Sequence, residues 1–283
     1  MDAVLRHPAS LAWRVLGTPP RGLSRVDPAP RVPGYRVLRE VGTGRRSSAW
    51  LAQDAQGAEC VLKLQPAAAS TLHREWEVAD RVRGGAIVRM HDHGRCGDWA
   101  WLAMDHLPGG DLATRLRAGV TPAEALTFLA QAAQGLAQLH RAGYVHRDVK
   151  PANFLLRADG ALLLADLGLA VPAGTATGRR EGSVTGTPRY VAPEQLQGAP
   201  ASPAADVYAL GVLLHEMLAG RPPFAGETLL EILSQHLVAT PPRLPDACAP
   251  LQPLVDRMLA KEVERRLPNA EAVLGLLGQR CMK

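Results

Sequence analysis

The sequence predicts an α+β fold in two parts, a small antiparallel sheet with one helix followed by a larger, mainly helical part. Three observations predict it. Short strand-like runs broken by glycine turns fill residues 35 to 64, a single helical stripe follows, and beyond Pro108-Gly109-Gly110 the texture changes to long helical segments. A chain of 283 residues with 47% apolar composition supplies enough core for such a body, and with only 4% aromatics that core is built mainly from Leu, Val and Ala. No internal repeat is visible.

Residues 1–34 read as an extended arm, because six prolines between Pro8 and Pro33 oppose regular structure and argue against a transit peptide despite the arginines. Residues 35–283 form the folded body. From Tyr35 to about Leu64 the strand-like pattern is turned between Val41 and Trp50 and again near Gln56-Gly57. Leu72, Trp76, Ala79 and Val82 recur on one face of a helix. Strand-like runs Ile87 to Met90 and Trp99 to Met104 come next. Thr121-Pro122-Ala123-Glu124 combines a capping box with proline at the first helical position, and Leu126, Leu129, Ala133, Leu136 and His140 form the apolar face of the helix that follows. Gly143 is placed to end it in the left-handed conformation. The segment Asp206 to Leu218 is apolar nearly all round and predicts a helix buried in the larger part.

The formal charge of +5 is concentrated at the start, where Arg6, Arg14, Arg21, Arg25 and Arg31 face only Asp2 and Asp27 within the first 34 residues. The body is nearly neutral, so no nucleic-acid role is expected. The arm reads either as a solvated tail or as a contact for a membrane surface or an acidic partner. Cys60, Cys96, Cys248 and Cys281 have neither metal-ligand nor redox spacing, which fits a reducing cytoplasm without zinc or disulfides. Val207 to Leu218 is interrupted by His215 and Glu216 and is too short to span a bilayer, and no signal-peptide core is present, so a soluble cytoplasmic protein with no membrane span is expected.

Several residues suit phosphate chemistry. Val41-Gly42-Thr43-Gly44-Arg45-Arg46-Ser47 is a turn whose glycines let backbone N–H groups approach an anion, although a two-glycine hairpin is more often a plain turn. Lys63 ends the run Cys60-Val61-Leu62-Lys63 and neutralises phosphate if a carboxylate holds it in place. Glu75, twelve residues on, sits at the edge of the apolar stripe and points inward, whereas Glu77 is placed to pair with Arg81 on the surface. A lone Lys or Glu is usually a solvated charge, so this pair draws its weight from its order in the chain. His91-Asp92-His93 reads as a strand-end turn rather than a zinc site. The densest segment is His146-Arg147-Asp148-Val149-Lys150-Pro151-Ala152-Asn153, with Asp166-Leu167-Gly168 beginning eighteen residues after Asp148 and Ala192-Pro193-Glu194 further on.

On these motifs the chain resembles eukaryotic-type serine/threonine protein kinases, in their compact bacterial form. The resemblance implies a bilobal protein-kinase-like fold, with an N-lobe at about 35–104, a hinge at about 105–109 and a C-lobe at about 110–283. It implies transfer of the γ-phosphoryl group of ATP, with Mg2+ or Mn2+, to Ser/Thr hydroxyls of proteins, this chain included. Asp148 would accept the hydroxyl proton, Asn153 and Asp166 would hold metal, and Lys63 with Glu75 would position ATP. Lys150 would steady the γ-phosphate, and Lys150 with Thr187 in Gly186-Thr187-Pro188-Arg189-Tyr190 resembles the serine/threonine rather than the tyrosine branch. Glu194 would pair with Arg266, and Asp206 would anchor the catalytic loop. Val41, Gly42, Thr43, Gly44, Ser47 and Asp111 would contact the nucleotide. Adenine would meet the backbone of Asp105 and Leu107, with Met104 guarding the back pocket and Ala49, Val61 and Leu155 as apolar walls.

Three positions depart from the family pattern. Ser47 replaces the third loop glycine, Ala49 replaces the usual Val and offers adenine less cover, and Leu167 replaces Phe. None removes a catalytic group. The presence of Lys63, Asp148 and Asp166 argues against a catalytically impaired scaffold or ATP-sensing module, and Ala192-Pro193-Glu194 with its Gly-Thr-x-x-Tyr lead-in argues against a small-molecule phosphotransferase. Arg147 beside Asp148 suggests regulation by phosphorylation at Thr175, Thr177, Ser183 or Thr185. A phosphatase or phosphothreonine-binding partner is suggested by analogy alone.

Overall fold

Five antiparallel strands form the amino-terminal sheet: β1 (Arg36–Thr43), β2 (Ser48–Gln53), β3 (Glu59–Pro66), β4 (Met90–Cys96) and β5 (Trp99–Asp105), in the order β1-β2-β3-β5-β4. The computed structural model describes residues 31–44, 47–82, 84–176 and 187–281. The arm up to residue 30, and Arg45, Arg46, Thr177, Ser183 and Thr185, therefore lie outside the described residues. Val32 is already packed against Trp50, Leu62 and Trp101, so the core takes in residues of the expected arm before Tyr35. Gly57 turns β2 into β3 at φ 84°, a conformation that favours glycine.

One strand differs from expectation. The apolar run Ile87 to Met90 is not the strand; the polar stretch Met90–Cys96 is. β4 is an edge strand that pairs only with β5, so its side chains need not be apolar. Ile87 and Val88 are buried for another reason. Val88 N donates to Leu164 O at 2.9 Å and Ile87 bridges Leu164, which ties the sheet to the helical part.

Helix α1 (Leu72–Arg81) packs on β4 and β5, burying Leu72, Glu75, Val78 and, just past its end, Val82. Val78 replaces the expected Trp76 and Ala79 as the centre of the stripe. Trp76 is half-buried and stacks on His93 at 4.7 Å between centroids. The expected Glu77–Arg81 pair gives way to other partners. Arg81 donates to Tyr144 Oη at 2.6 Å, and Glu77 lies 3.6 Å from His73.

The carboxy-terminal part contains α2 (Leu112–Arg117), α3 (Pro122–Arg141), α4 (Pro193–Leu196), α5 (Pro203–Ala219), α6 (Leu229–Val238), α7 (Gln252–Met258) and α8 (Ala270–Cys281). Two short two-stranded antiparallel sheets accompany them, β6 (Tyr144–Val145) with β9 (Val171–Pro172) and β7 (Phe154–Leu156) with β8 (Leu162–Leu164). α3 starts at its capping box: Glu124 N donates to Thr121 Oγ1 at 3.3 Å and Thr121 N donates to Glu124 Oε2 at 2.9 Å. Gly143 follows at φ 81°, as its position predicts. α5 is buried on all sides and is the hub on which α3, α7 and α8 pack. Among the described residues no helix is long and apolar enough to cross a membrane.

Candidate active site

The candidate site is the cleft between the sheet and the helical part, and strand register builds its wall. In the β2–β3 ladder Ala49 pairs with Lys63, and in the β3–β5 ladder Val61 pairs with Met104, so alternation along β3 turns Val61 and Lys63 to one face. That face, with Gly42, Gly44, Ser47, Leu155, Ala165 and Asp166, lines the cleft. Val41 and Thr43 flank the loop within β1. Gly44 N closes the turn on Ser47 O at 2.7 Å. Leu107 packs at the cluster formed by Met104, Leu102 and Ala165. Asp105 pairs with His91 at 2.8 Å, while His93 approaches His73 at 3.1 Å, so the two histidines of His91-Asp92-His93 serve different partners. Asp111 caps α2 by accepting from Thr114 N at 2.7 Å, and its other carboxylate oxygen is buried without a protein partner.

Lys63 brings three distant segments together. Its Nζ lies 2.8 Å from Glu75 Oε2 and 2.9 Å from Asp166 Oδ1. Burial alone would discharge the ammonium, but the carboxylates of Asp166 and Glu75 outweigh it and hold its pKa above the ordinary lysine value. Burial likewise opposes the Asp166 charge, yet Lys63 holds that carboxyl down at about 2. Glu75, with no exposed surface, is pushed up by burial in spite of Lys63. Asp166 adopts φ 58°, rare for a non-glycine residue. Leu167 is fully buried behind it. Gly168 fits because a Cβ there would come within 3.3 Å of Asp166 Oδ1 and Thr71 Oγ1.

Asp148 is held by three neighbours, two from its own loop and one from a stretch 39 residues on. Lys150 contacts Oδ2, Asn153 Nδ2 donates to Oδ2 at 3.1 Å and to the backbone O at 2.8 Å, and Thr187 Oγ1 donates to Oδ1 at 2.9 Å. The loop itself is strained at Arg147, φ 70°, and anchored from below by Asp206, which accepts from the N–H groups of His146 and Arg147 at 2.8 and 2.9 Å. Burial works against the Asp206 charge, but His140 at 2.9 Å outweighs it and keeps the carboxyl below its usual range. His140 was legible only as part of an apolar face; its bond to Asp206 spans 66 residues and leaves no local signal. His146, which opens the motif His146-Arg147-Asp148, has a ring that bridges Asp148 N at 3.2 Å and Ala165 O at 3.3 Å. Further down, Arg266 grips Glu194 through two nitrogens at 2.6 and 3.1 Å.

The donor set suits a small hard cation and a polyphosphate: carboxylate and carboxamide oxygens, with Asp166 kept ionised and 31% exposed, beside a fixed ammonium and an apolar end fit for a flat ring. Comparison with known proteins identifies the family. Residues 35–275 match the family model described as protein kinase domain. The chain is 36% identical over 253 residues to the serine/threonine-protein kinase drp72 of Corynebacterium efficiens, covering 84% of this chain and 49% of that protein. It is 34% identical over 251 residues to PknA of Corynebacterium glutamicum (83% and 54%) and 37% identical over 261 residues to PkaA of Streptomyces coelicolor (84% and 48%), both named serine/threonine-protein kinases. The chain thus spans about half the length of these curated relatives. With the family model matched over most of its length and these relatives alongside, the chain belongs to the protein kinase domain family.

Proposed function

We propose that this chain is an ATP-dependent protein serine/threonine kinase that phosphorylates Ser/Thr hydroxyls of proteins, its own included. The observation that carries the reading is the assembly of Lys63, Glu75 and Asp166 with Asp148, Lys150, Asn153 and Thr187, joined by contacts that span up to 103 residues. Protein kinases generally use ATP and Mg2+. The chemistry assigned to each residue follows from its surroundings. Asp148 takes the proton of the acceptor hydroxyl as its oxygen bonds to the γ-phosphorus and the bond to the leaving ADP oxygen breaks. Lys150, beside Asp148, neutralises charge on the transferring group, and Lys63, steadied by Glu75, neutralises it on the other phosphates. Asn153 and Asp166 would hold Mg2+ or Mn2+, which would supply positive charge to offset that of the phosphates. The backbone of Asp105 and Leu107, with Ala49, Val61, Met104 and Leu155, receives the adenine; Asp111 and the loop Val41, Gly42, Thr43, Gly44 and Ser47 contact the rest of the nucleotide. The convergence of Lys150 and Thr187 on Asp148 supports a Ser/Thr rather than a Tyr acceptor.

Regulation by phosphorylation between Gly168 and Ala192 is part of the proposal. Arg147 Nε is buried without a partner, and burial, with the nearby Arg74 charge, lowers the Arg147 pKa, so an anion here would relieve both. Thr175 is the candidate that lies among the described residues. Its hydroxyl donates to Pro172 O at 2.6 Å and its carbonyl accepts from Ala201 N at 2.9 Å. A cytoplasmic setting is supported by buried, unpaired Cys60 and Cys248, and a phosphatase or phosphothreonine-binding partner would reset or read the modification. The deciding experiment is magnesium-dependent transfer from labelled ATP to the chain itself and to a generic basic protein, with Asp148→Asn and Lys63→Met alongside. Transfer by wild type and its loss in both variants is expected. ATP binding without transfer would favour the alternative of a scaffold or ATP-sensing module.

A further inference from the structure

Helix α6 holds a buried imidazole that the transfer chemistry does not use. His236 has no exposed surface, and its ring meets the Phe224 ring edge-on at 4.8 Å. Both ring nitrogens are engaged: Nδ1 lies 3.0 Å from Tyr208 Oη, and Nε2 lies 3.1 Å from the backbone oxygen of Arg189. A carbonyl only accepts, so Nε2 carries the hydrogen and Nδ1 receives the Tyr208 hydroxyl. Lys261 Nζ donates to the same Tyr208 oxygen at 3.1 Å and to the carbonyls of Gln235 and His236 at 3.3 and 2.8 Å, where it also meets the negative end of α6. The hydrogen bonds therefore run one way, from Lys261 through Tyr208 and His236 to Arg189. Burial, and next the Lys261 charge, hold the imidazole pKa down at about 4, so the neutral ring that this chain of bonds needs is the form present at neutral pH.

The far end of this chain lies on the segment that faces the acceptor. Arg189 is the middle residue of the turn Pro188–Tyr190, Tyr190 N returns to Thr187 O at 3.0 Å, and the Thr187 hydroxyl donates to Asp148 Oδ1 at 2.9 Å. Tyr190 is fixed separately through Glu216 at 2.6 Å. His236 thus holds one carbonyl of a turn that begins at a contact of the proposed base, while neither His236 nor the turn is among the residues that line the nucleotide cleft.

We propose that His236 is a positioning residue for the protein-acceptor platform Thr187–Tyr190, holding it through the Arg189 carbonyl, and that it sets how tightly a Ser/Thr protein acceptor is held without acting on ATP. The inference rests on the kinase reading above. Its test separates the two ring nitrogens. His236→Asn keeps an acceptor near the place of Nδ1 but loses the donor to Arg189; His236→Gln keeps a donor near the place of Nε2 but loses the acceptor for Tyr208. Amide hydrogen exchange is read on peptides covering 187–191 and 146–153, and KM is determined separately for a Ser/Thr peptide and for ATP. His236→Asn is expected to speed exchange across 187–191 and to raise the peptide KM about 3- to 10-fold, the size of one lost hydrogen bond, with the ATP KM unchanged. His236→Gln is expected to recover most of both effects. Unchanged exchange across 187–191 in His236→Asn, or an ATP KM that rises as far as the peptide KM, overturns the proposal. Wild type that binds ATP but transfers nothing to peptide defeats the kinase reading instead, and the exchange comparison still decides whether His236 holds the turn. If His236→Asn does not fold, Tyr208→Phe, which removes the hydroxyl that orients the ring, is read in the same way.

Discussion

Glu75 and Asp166 lie 12 and 103 residues from Lys63, yet both carboxylates come within 2.9 Å of its Nζ. At this scale the sequence was most legible where chemistry demands particular residue types. Asp148, Asn153 and Asp166 stand out through the order and spacing of their motifs, whose resemblance to protein kinases implies a proton acceptor and hard oxygen donors at these positions. Asp148→Asn is expected to lower the rate of phosphate transfer by about 10²–10⁴ while leaving the melting temperature close to wild type, read from labelled-ATP kinetics and calorimetry. The Arg266–Glu194 pair is a different kind of residue-scale prediction. Both side chains are buried, 0% and 9% exposed, so Arg266→Ala leaves a carboxylate without its counter-ion and is expected to cost about 3–5 kcal/mol in urea unfolding. Replacing both by apolar residues is expected to cost less than Arg266→Ala alone, because the uncompensated charge goes with its partner.

The helices show why local signals succeed and where they stop. The α3 capping box was readable because all its members lie within four residues; Thr121→Ala is expected to lower stability by about 1 kcal/mol in the same assay. Gly135 in the middle of α3 carries no such local message. A Cβ there would stand 2.8 Å from Leu164 Cβ and 2.9 Å from Ala86 O, so the helix approaches β8 and the chain before Ile87 more closely than any side chain permits. Gly135→Ala is therefore expected to destabilise by about 1–3 kcal/mol, although alanine is the better helix former. β4 was misread because its residues are polar and its neighbour Ile87-Val88 is apolar. Burial where the run bridges Leu164, not membership of the five-stranded sheet, explains that apolar run. In α1 the expected stripe missed Val78, since a helix wedged between a sheet and the helical part buries a broader face than one row of side chains.

For the molecule as a whole, buried titratable groups set the response to acid. His236 is held down at about 4 in the fold and titrates near 6.5 when unfolded, so between these values the unfolded chain binds the extra proton. Stability is therefore expected to fall as pH drops from about 6.5 to 4, by roughly 3 kcal/mol at most, and Asp166, held at about 2, extends the loss below pH 4. Denaturant midpoints measured across this range should show the slope, and His236→Gln should flatten its upper part; an unchanged slope in that variant would assign it to other groups. The two-part architecture could be read from the order of strand-like and helical periods, and the phosphate-handling groups from their chemistry and spacing, because both are written over a few residues. Packing selected everything that depends on groups far apart in the chain: the Lys63 bridge, His140 on Asp206, His236 on Arg189, and which face of α1 is buried. Such contacts link residues 47 to 103 positions apart, and their energy comes from burial and charge pairing that exist only once these distant segments have packed together.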